Sequence, residues 1–579
     1  MQPAGERDIT QAAPEQGTAP AGGERAASLS ISIETLAWVG LVLAAGLLRF
    51  SDLDRLPLSV DEAARSLDAV RVANADVPET WRGDLGATAT SYAFRLFGET
   101  EFVARLVPAL AGLALVAALW WIRPYTGRTG ALAAAILVTF SPLFVLHART
   151  TTAYGIGPLI SVIIVISLFS YLRNPGIAVG FPLIVSLAIA LLTDAPAVLA
   201  VLAVVVFLLL EATVFGNRDL AAAGRAFRSS PVQWISALLV LAACVQLGVT
   251  HFGTSLEAGL PGLQLVGDMF DSAGDSRGPE YHLTLLFGYD WPLLLAGLAG
   301  FSLLAIRFVR RRPLLAFERF LLVWTLTATF ALALVTRGEA GQSLVLLLPL
   351  ALLAGRLAQE VTATLDWGVV SRWWPAAAGL TAIVALAALL MTEWASGNAS
   401  TGERVVLAAT PVACLIVLAI AYFRSRAAAA AIVVPVATVV AMAFLTHSSL
   451  AVAFGDGTEF AVDARLTPRA EQLRRTLDRL SADRNTEVVL DVGLIDELGW
   501  TLRDSRVVSG GEADAASILV TRPDAAPPGF AGLEDVWRVA EGWYPDDVLA
   551  PRRMWRWLLY REPFGPVEFT EVRIYVRTI

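Results

Sequence analysis

The chain has 579 residues, of which 56% are hydrophobic and 17% are charged, and its mean hydropathy is +0.61. Soluble domains carry about 25% charged residues, so this composition excludes an ordinary soluble protein and indicates an integral membrane protein. The net charge of −8 argues against nucleic acid as a partner. The sequence contains no lysine, so arginine is the only side chain with a fixed positive charge.

Residues 1–31 are rich in Ala, Pro, Gly, Gln and Glu, and this composition predicts a disordered cytoplasmic tail. The tail lacks the basic start and the cleavage site of a signal peptide. We therefore expect the first apolar run, which begins near Ile33, to be retained as a membrane anchor.

Thirteen apolar runs are long enough to predict membrane spans. They lie near residues 33–50, 103–122, 130–148, 154–172, 177–193, 196–214, 232–252, 286–307, 317–336, 341–358, 374–392, 405–423 and 427–447. Arginines concentrate in alternate short loops, most clearly in "RFVRRRP" at 307–313, and the positive-inside rule then predicts a cytoplasmic N-terminus. The expected fold is an α-helical polytopic membrane domain over 32–447.

The last part of the chain differs in character, because residues 448–579 are charged and carry short strand patterns. "EVVLDVG" and "ASILVT" predict strands, and "RAEQLRRTLDRLSAD" predicts a helix with one leucine-lined face. With thirteen spans before it, this small α/β domain is expected on the extracytoplasmic side.

The first predicted outer loop, residues 51–102, carries two amphipathic segments and an adjacent acidic pair, Asp61 and Glu62, in "VDEAARS". Ionisable residues beside a span are candidates for function. In the alternative interpretation, the pair only forms the first turn of a helix, where the helix dipole favours acids.

Five further residues on the same predicted side complete the candidates: Arg149, Tyr154, Asp194, His282 and Arg337. Each has a structural alternative. The arginines could extend from span ends towards the interface, Asp194 could be a turn residue, and His282 could be a solvated loop histidine.

Several blocks together resemble one family. "FRLFGETEFVARLVPALAG" and "SPLFVLHAR" resemble the second and third spans of the glycosyltransferase C (GT-C) superfamily, most closely family 39, the protein-mannosyltransferase-like branch. "RGPEYHLTLLFGYDWPLLL" and "MWRWLLYREPFGPVEFTEVRIYVR" are similar to a sub-branch of flippase-activity-associated membrane proteins.

The resemblance implies a GT-C fold in the plasma membrane of a prokaryote, with a polyprenyl-phosphate sugar as donor. It implies a lipid-linked glycan, a cell-envelope polymer or a protein as acceptor. Carried onto this sequence, Asp61 with Glu62 beside it acts on the acceptor, and Arg149 and Arg337 hold the donor phosphate.

Departures from the family pattern leave alternatives open. Relatives commonly carry an acid or Asn after the arginine that ends the third span, whereas "ARTTTAYG" has none. A second acid or an acceptor contact could then come from Asp194, Tyr154 or His282. No cofactor is certain, and a divalent cation stays open.

Three functions therefore follow from the sequence, in falling order. The first is sugar transfer, and the second is non-catalytic binding of lipid-linked sugars, or an association with their flipping, by a degenerate site. Ion-coupled transport is the third, because the sequence lacks the repeated halves typical of such transporters.

Overall fold

The computed structural model describes most of the chain: residues 32–77, 81, 83–216, 218–249, 260–270, 278–335, 338–455, 459–484, 486–505, 507–509, 517–524, 529–545 and 551–577. The predicted tail over 1–31 lies outside these residues.

The membrane domain consists of helices. They are α1 (Ile33–Phe50), α2 (Val60–Ala73), α3 (Leu85–Phe97), α4 (Glu101–Ala118), α5 (Arg123–Thr126), α6 (Arg128–Phe140), α7 (Pro142–Ala148), α8 (Gly157–Arg173), α9 (Ile177–Leu191), α10 (Ala195–Leu210), α11 (Arg218–Ser229), α12 (Pro231–Val249), α13 (Pro261–Met269), α14 (Pro279–Tyr289), α15 (Trp291–Val309), α16 (Ala316–Ala333), α17 (Leu344–Thr364), α18 (Trp367–Ser396), α19 (Thr401–Arg424) and α20 (Arg426–Phe454).

The helices agree with the predicted spans in position. Among the described residues, nine helices are long and apolar enough to cross a membrane, and α6 with α7, bent by 63° at Pro142, makes a tenth. Three shorter apolar helices, α8, α9 and the first part of α12, occupy the remaining predicted positions. The prediction of a polytopic helical membrane fold is confirmed.

Successive spans run in opposite directions, so the bundle has two ends, which we name after one residue each. The Arg307 end holds Glu34, Glu211, Glu318 and Glu360 with their arginine partners. The Asp61 end holds α2, α3, residues 150–156, the turn before α10, residues 338–343, α14 and the C-terminal domain.

In its described residues, the C-terminal domain is a mixed six-stranded sheet with three helices. Its elements are β1 (Arg465–Leu466), α21 (Pro468–Arg484), β2 (Val488–Leu490), α22 (Ile495–Leu502), β3 (Val507–Ser509), β4 (Ile518–Thr521), β5 (Phe530–Trp543), α23 (Pro551–Tyr560) and β6 (Val567–Arg577). The strand order is β1-β5-β6-β4-β2-β3, with β2 parallel to β3 and β4 and the other pairs antiparallel. Leu473 and Leu477 of α21 are fully buried against the sheet, as the leucine-lined face predicts.

The C-terminal domain packs directly on the first loop of the membrane domain. The ring of Trp500 in α22 lies 5.9 Å from that of Phe94 in α3. Arg503 donates a hydrogen bond of 3.1 Å to the carbonyl of Glu99. Residues 58–60, which lead into α2, pair with the chain around β1. The domain therefore helps to fix where α2 begins.

Two boundaries differ from the sequence-based expectation. The second amphipathic segment, "GATATSYAFRLFGETEFVARL", is expected from the sequence to be continuous, but Gly98 divides it, because its φ of +88° ends α3 before α4 starts at Glu101. The last span, α20, continues to Phe454, past the expected boundary at residue 447.

Candidate active site at the Asp61 end

Helix α2 begins with a capping box, which follows from the sequence "SVDE". The Ser59 hydroxyl accepts a hydrogen bond of 3.2 Å from the Glu62 backbone N–H. The Ser59 N–H in turn donates to the Glu62 carboxylate at 2.9 Å. Asp61 therefore lies in the first turn with its backbone held on both sides.

Glu62 is fully engaged by the protein. Its side chain is 1% exposed and forms a two-pronged ion pair with Arg105 of α4, with both N–O distances 2.9 Å. The Thr151 N–H donates a further bond of 2.9 Å. Burial alone would raise the pKa of Glu62, but the charge and hydrogen bonds of Arg105 and the two backbone N–H groups lower it overall. Glu62 is therefore an ionised anchor of α2.

Arg105 secures the loop before α2 as well. Its remaining N–H groups donate to the carbonyls of Leu53, Leu56 and Pro57 at 2.8–3.1 Å. All five donors of its guanidinium are thus used, two of them by Glu62. The sequence analysis did not single out Arg105, because only the fold brings it to a residue 43 positions away.

Asp61 is the opposite case. Its side chain is exposed, and within the described part of the chain no protein group forms a hydrogen bond with it. Protein nevertheless surrounds the side chain closely enough to desolvate it in part. The resulting desolvation, followed by the negative charges of Asp463 and Glu339, raises the pKa of Asp61 to about 6, against a lowering effect of Arg65.

Arg65 is the cation of this group, and the sequence analysis missed it. It lies four residues after Asp61, so both side chains share a face of α2. It forms an ion pair of 2.5 Å with Asp84, which also caps α3 by accepting the Ala87 N–H at 2.9 Å. The Arg65 Nε is buried without a hydrogen-bond partner, whereas the side chain as a whole is 25% exposed.

Tyr154 and His282, both predicted, are brought together by the turn at residues 340–343. Gln342 donates to the Tyr154 hydroxyl at 3.4 Å, and the His282 Nδ1 lies 3.0 Å from the Ser343 hydroxyl. Burial, with the charge of Glu339, raises the pKa of Tyr154 well above its ordinary value. Burial also lowers the pKa of His282 to about 4. Both side chains are therefore neutral at neutral pH.

Asp194 lies in the turn that the sequence analysis considered, and it caps helices. Its carboxylate accepts the Gly157 N–H at 2.7 Å and the Ala197 N–H at 3.3 Å, at the starts of α8 and α10. Burial is the main reason that the pKa of Asp194 rises to about 7. Its use as a second acid stays a prediction.

The two arginines expected to hold the donor phosphate have different outcomes. Arg149 donates to the carbonyls of Leu48, Ser51 and Asp52 at 2.9–3.1 Å, so it caps the end of α1. Three of its five donors are therefore committed to the backbone. Arg337 lies outside the described residues, and both phosphate roles stay predictions.

Metal-ligating side chains do not cluster in the part of the chain that the structure describes. No group there brings together three or more His, Cys, Asp or Glu residues that could hold an ion. The Asp61 carboxylate can accept a proton, and the Arg65 guanidinium can contact an anion.

Comparisons with known proteins support the fold. The profile of the dolichyl-phosphate-mannose-protein mannosyltransferase family matches residues 85–245. The structure of ArnT from Cupriavidus metallidurans bound to undecaprenyl phosphate superposes with a TM-score of 0.53 at 17% identity, covering 84% of this chain and 93% of that one. The chain therefore shares the fold of that structure, the GT-C fold that the sequence predicts.

Other comparisons add little to that conclusion. The apo form of the same ArnT gives a TM-score of 0.51 at 16% identity, over 84% of this chain and 93% of that chain. The Archaeoglobus fulgidus oligosaccharyltransferase gives 0.44 at 13% identity, covering 82% of this chain and 62% of that chain, a similarity too low to carry an argument. No curated protein sequence matches the chain. The resemblance to the flippase-associated sub-branch stays a prediction.

Proposed function

We propose that the protein transfers a sugar from a polyprenyl-phosphate donor to an acceptor hydroxyl at the Asp61 end. The observation that carries the proposal is Asp61 itself, an exposed carboxylate whose pKa is raised to about 6 on a GT-C fold. A general base works best when its pKa lies near the operating pH. The donor class is supported by the ArnT neighbour, whose structure holds undecaprenyl phosphate.

In the proposed reaction, the acceptor oxygen attacks the anomeric carbon of the sugar and forms the new C–O bond. The bond from that carbon to the phosphate oxygen breaks, and its electron pair leaves with the polyprenyl phosphate. The proton of the acceptor hydroxyl passes to the Asp61 carboxylate. Glu62 does not receive it, because four hydrogen bonds already occupy its oxygens.

Arg65 is the residue we propose to stabilise the departing phosphate. It shares a face of α2 with Asp61, and its buried Nε has no partner. A guanidinium binds phosphate through two parallel hydrogen bonds. These hydrogen bonds become stronger as negative charge develops on the leaving oxygen. Its second effect is to keep Asp61 ionised, since its charge opposes the rise of that pKa.

We place the Asp61 end on the extracytoplasmic side of a prokaryotic plasma membrane, with the N-terminus in the cytoplasm. The support is the arginine bias, because the loop at 307–313 lies at the opposite end of the bundle. The acceptor would then be a lipid-linked glycan, a cell-envelope polymer or an exported protein.

The test is a transfer assay on purified full-length protein in lipid nanodiscs. Labelled polyprenyl-phosphate mannose, glucose and aminosugar are supplied with a membrane extract. The Asp61→Asn variant should lose transfer, whereas Asp68→Asn, the same change two turns along α2, should retain it. Donor that binds but is never transferred by the unmodified protein would instead support the binding or flippase-associated function.

A further inference from the structure

The C-terminal domain contributes a charged residue beside α2. Arg465 of β1 lies directly opposite Ser59 in an antiparallel bridge. Two backbone hydrogen bonds hold this register, from the Val60 N–H to the Ala464 carbonyl at 3.0 Å and from the Leu466 N–H to the Leu58 carbonyl at 3.1 Å. The backbone of Arg465 is therefore fixed opposite Ser59, which lies two residues before Asp61 in the chain.

The register also determines the direction of the Arg465 side chain. Residues directly opposite each other on an antiparallel pair project from the same face. The Ser59 hydroxyl points to the first turn of α2, where it accepts the Glu62 N–H. The guanidinium of Arg465 accordingly lies within electrostatic reach of Glu62 and Arg105. The negative charge of Asp463, two residues before Arg465, raises the pKa of Asp61.

Arg465 is unpaired within the described part of the chain. Its Nε is buried without a hydrogen-bond partner, and its guanidinium forms no hydrogen bond or ion pair there. The side chain is half-buried, so it is desolvated but still reachable. Leaving a desolvated charge without a partner costs stability.

The charges that face Arg465 do not serve as its partners. Glu62 and Arg105 satisfy each other. Glu459 lies 3.5 Å from Arg561 and accepts the Tyr289 hydroxyl at 2.6 Å. Glu541 is opposite Arg465 on β5, but no ion pair joins the two.

We propose that Arg465 binds a phosphate group of a substrate and thereby completes the active site from the C-terminal domain. This inference rests on the proposed function and deepens it. Asp61, Asp463 and Glu339 concentrate negative charge here, and Arg65 is shared with Asp84. A bound phosphate requires another cation, and Arg465 has its donors uncommitted. The phosphate belongs either to the donor lipid or to a phosphorylated lipid acceptor.

The experiment compares Arg465→Gln and Arg465→Lys with Arg469→Gln, an exposed arginine of the same domain. The Kd of the protein in nanodiscs for labelled polyprenyl phosphate is measured without any acceptor. The KM for the acceptor is measured at saturating donor. We expect Arg465→Gln to weaken one of the two by about tenfold, which corresponds to about 1.4 kcal/mol. Lysine should restore part of the loss, and Arg469→Gln should change neither.

The two measurements distinguish the sources of the phosphate. A higher Kd for polyprenyl phosphate assigns Arg465 to the donor, and a higher KM at unchanged Kd assigns it to the acceptor. The thermal midpoint of Arg465→Gln should be unchanged or higher, because the variant removes an unpaired desolvated charge. A purely structural residue would lower the midpoint instead.

Three outcomes would overturn the proposal. The first is that Arg465→Gln leaves both the Kd for polyprenyl phosphate and the KM for the acceptor unchanged. The second is that a lower thermal midpoint of this variant accounts for its higher Kd or KM. The third is that the unmodified protein does not bind polyprenyl phosphate. Failure of the proposed function looks different. In that case the unmodified protein binds polyprenyl phosphate in an Arg465-dependent manner but transfers no sugar.

Discussion

The two ends of the helix bundle use the same residue types in opposite ways. At the Arg307 end, Glu360 pairs with Arg307 at 3.0 Å and with Arg356 at 2.6 Å, and Arg319 pairs with Glu211 at 2.6 Å. At the Asp61 end only some of the charges match. Glu62 and Arg105 satisfy each other, whereas Asp61 and Arg465 have no partner among the described residues.

This difference separates charges that hold the fold from charges that can act on a substrate. A matched buried pair lowers its own energy and offers nothing to a ligand. An unmatched, partly desolvated charge is costly to the protein and is therefore a candidate for function. The contrast is sharpest between the neighbours Asp61 and Glu62, which lie side by side in the sequence.

The largest expected effect is on catalysis by Asp61. Asp61→Asn removes the proposed base, so kcat/KM for sugar transfer should fall by about 10²–10⁴-fold. The thermal midpoint should stay the same, because no hydrogen bond to Asp61 is lost within the described structure. Asp68→Asn in the same helix is the matched control. Transfer at the original rate in Asp61→Asn would remove Asp61 from the mechanism.

Glu62→Gln should lower the free energy of unfolding, in contrast to Asp61→Asn, which should affect catalysis. The substitution leaves Arg105 as an uncompensated buried charge, which costs about 3–5 kcal/mol of unfolding free energy. Glu360→Gln at the Arg307 end, where both partners are about a quarter exposed, should cost only about 0.2–1 kcal/mol. Denaturant unfolding in detergent measures both. Equal losses would contradict the distinction between the two ends.

The pH dependence of transfer should follow Asp61. The base must be ionised, and its pKa is raised to about 6, so kcat/KM should rise with pH up to about 6 and then level off. Asp463→Asn removes a negative charge that raises this pKa, so the profile should shift to lower pH. Arg65→Gln removes the charge that lowers it, and the shift should be to higher pH. Identical profiles for the three proteins would show that another group controls the rate.

Arg149→Gln offers a smaller test of which arginine meets the donor. The carbonyls of Leu48, Ser51 and Asp52 lose their donor, so we expect a lower thermal midpoint, with a cost of about 1–3 kcal/mol for the unsatisfied groups. Arg65→Gln should weaken polyprenyl-phosphate binding more than Arg149→Gln does. The reverse order, at an unchanged midpoint for Arg149→Gln, would support the phosphate role expected of Arg149.

Much of the architecture could be predicted because it depends on local patterns. Long apolar runs indicate spans whatever their neighbours are, and α21, β2 and β4 follow from periodicity in 468–484, 488–490 and 518–521. The long strands β5 and β6 were not predicted. They pair with each other across the segment that contains α23, and such distant pairing leaves a weak local pattern.

The site was predictable only in part, for the same reason. The capping residues Ser59 and Glu62 and the i, i+4 pair Asp61 and Arg65 are local, and a helical-face argument on "SVDEAAR" would have included Arg65. Arg105, Asp463 and Arg465 reach α2 from distant segments, and no spacing in the sequence indicates it.

The sequence by itself determined that this is a polytopic membrane protein with an acidic pair at the start of a helix. Hydrophobic runs and helix caps depend on a few neighbouring residues, so they can be recognised in the sequence without the tertiary structure. Only the tertiary structure decided that Glu62 forms an ion pair with Arg105 and that Asp61 stays exposed with a raised pKa. Charges act through space, and which charges meet depends on how the spans and the C-terminal domain pack.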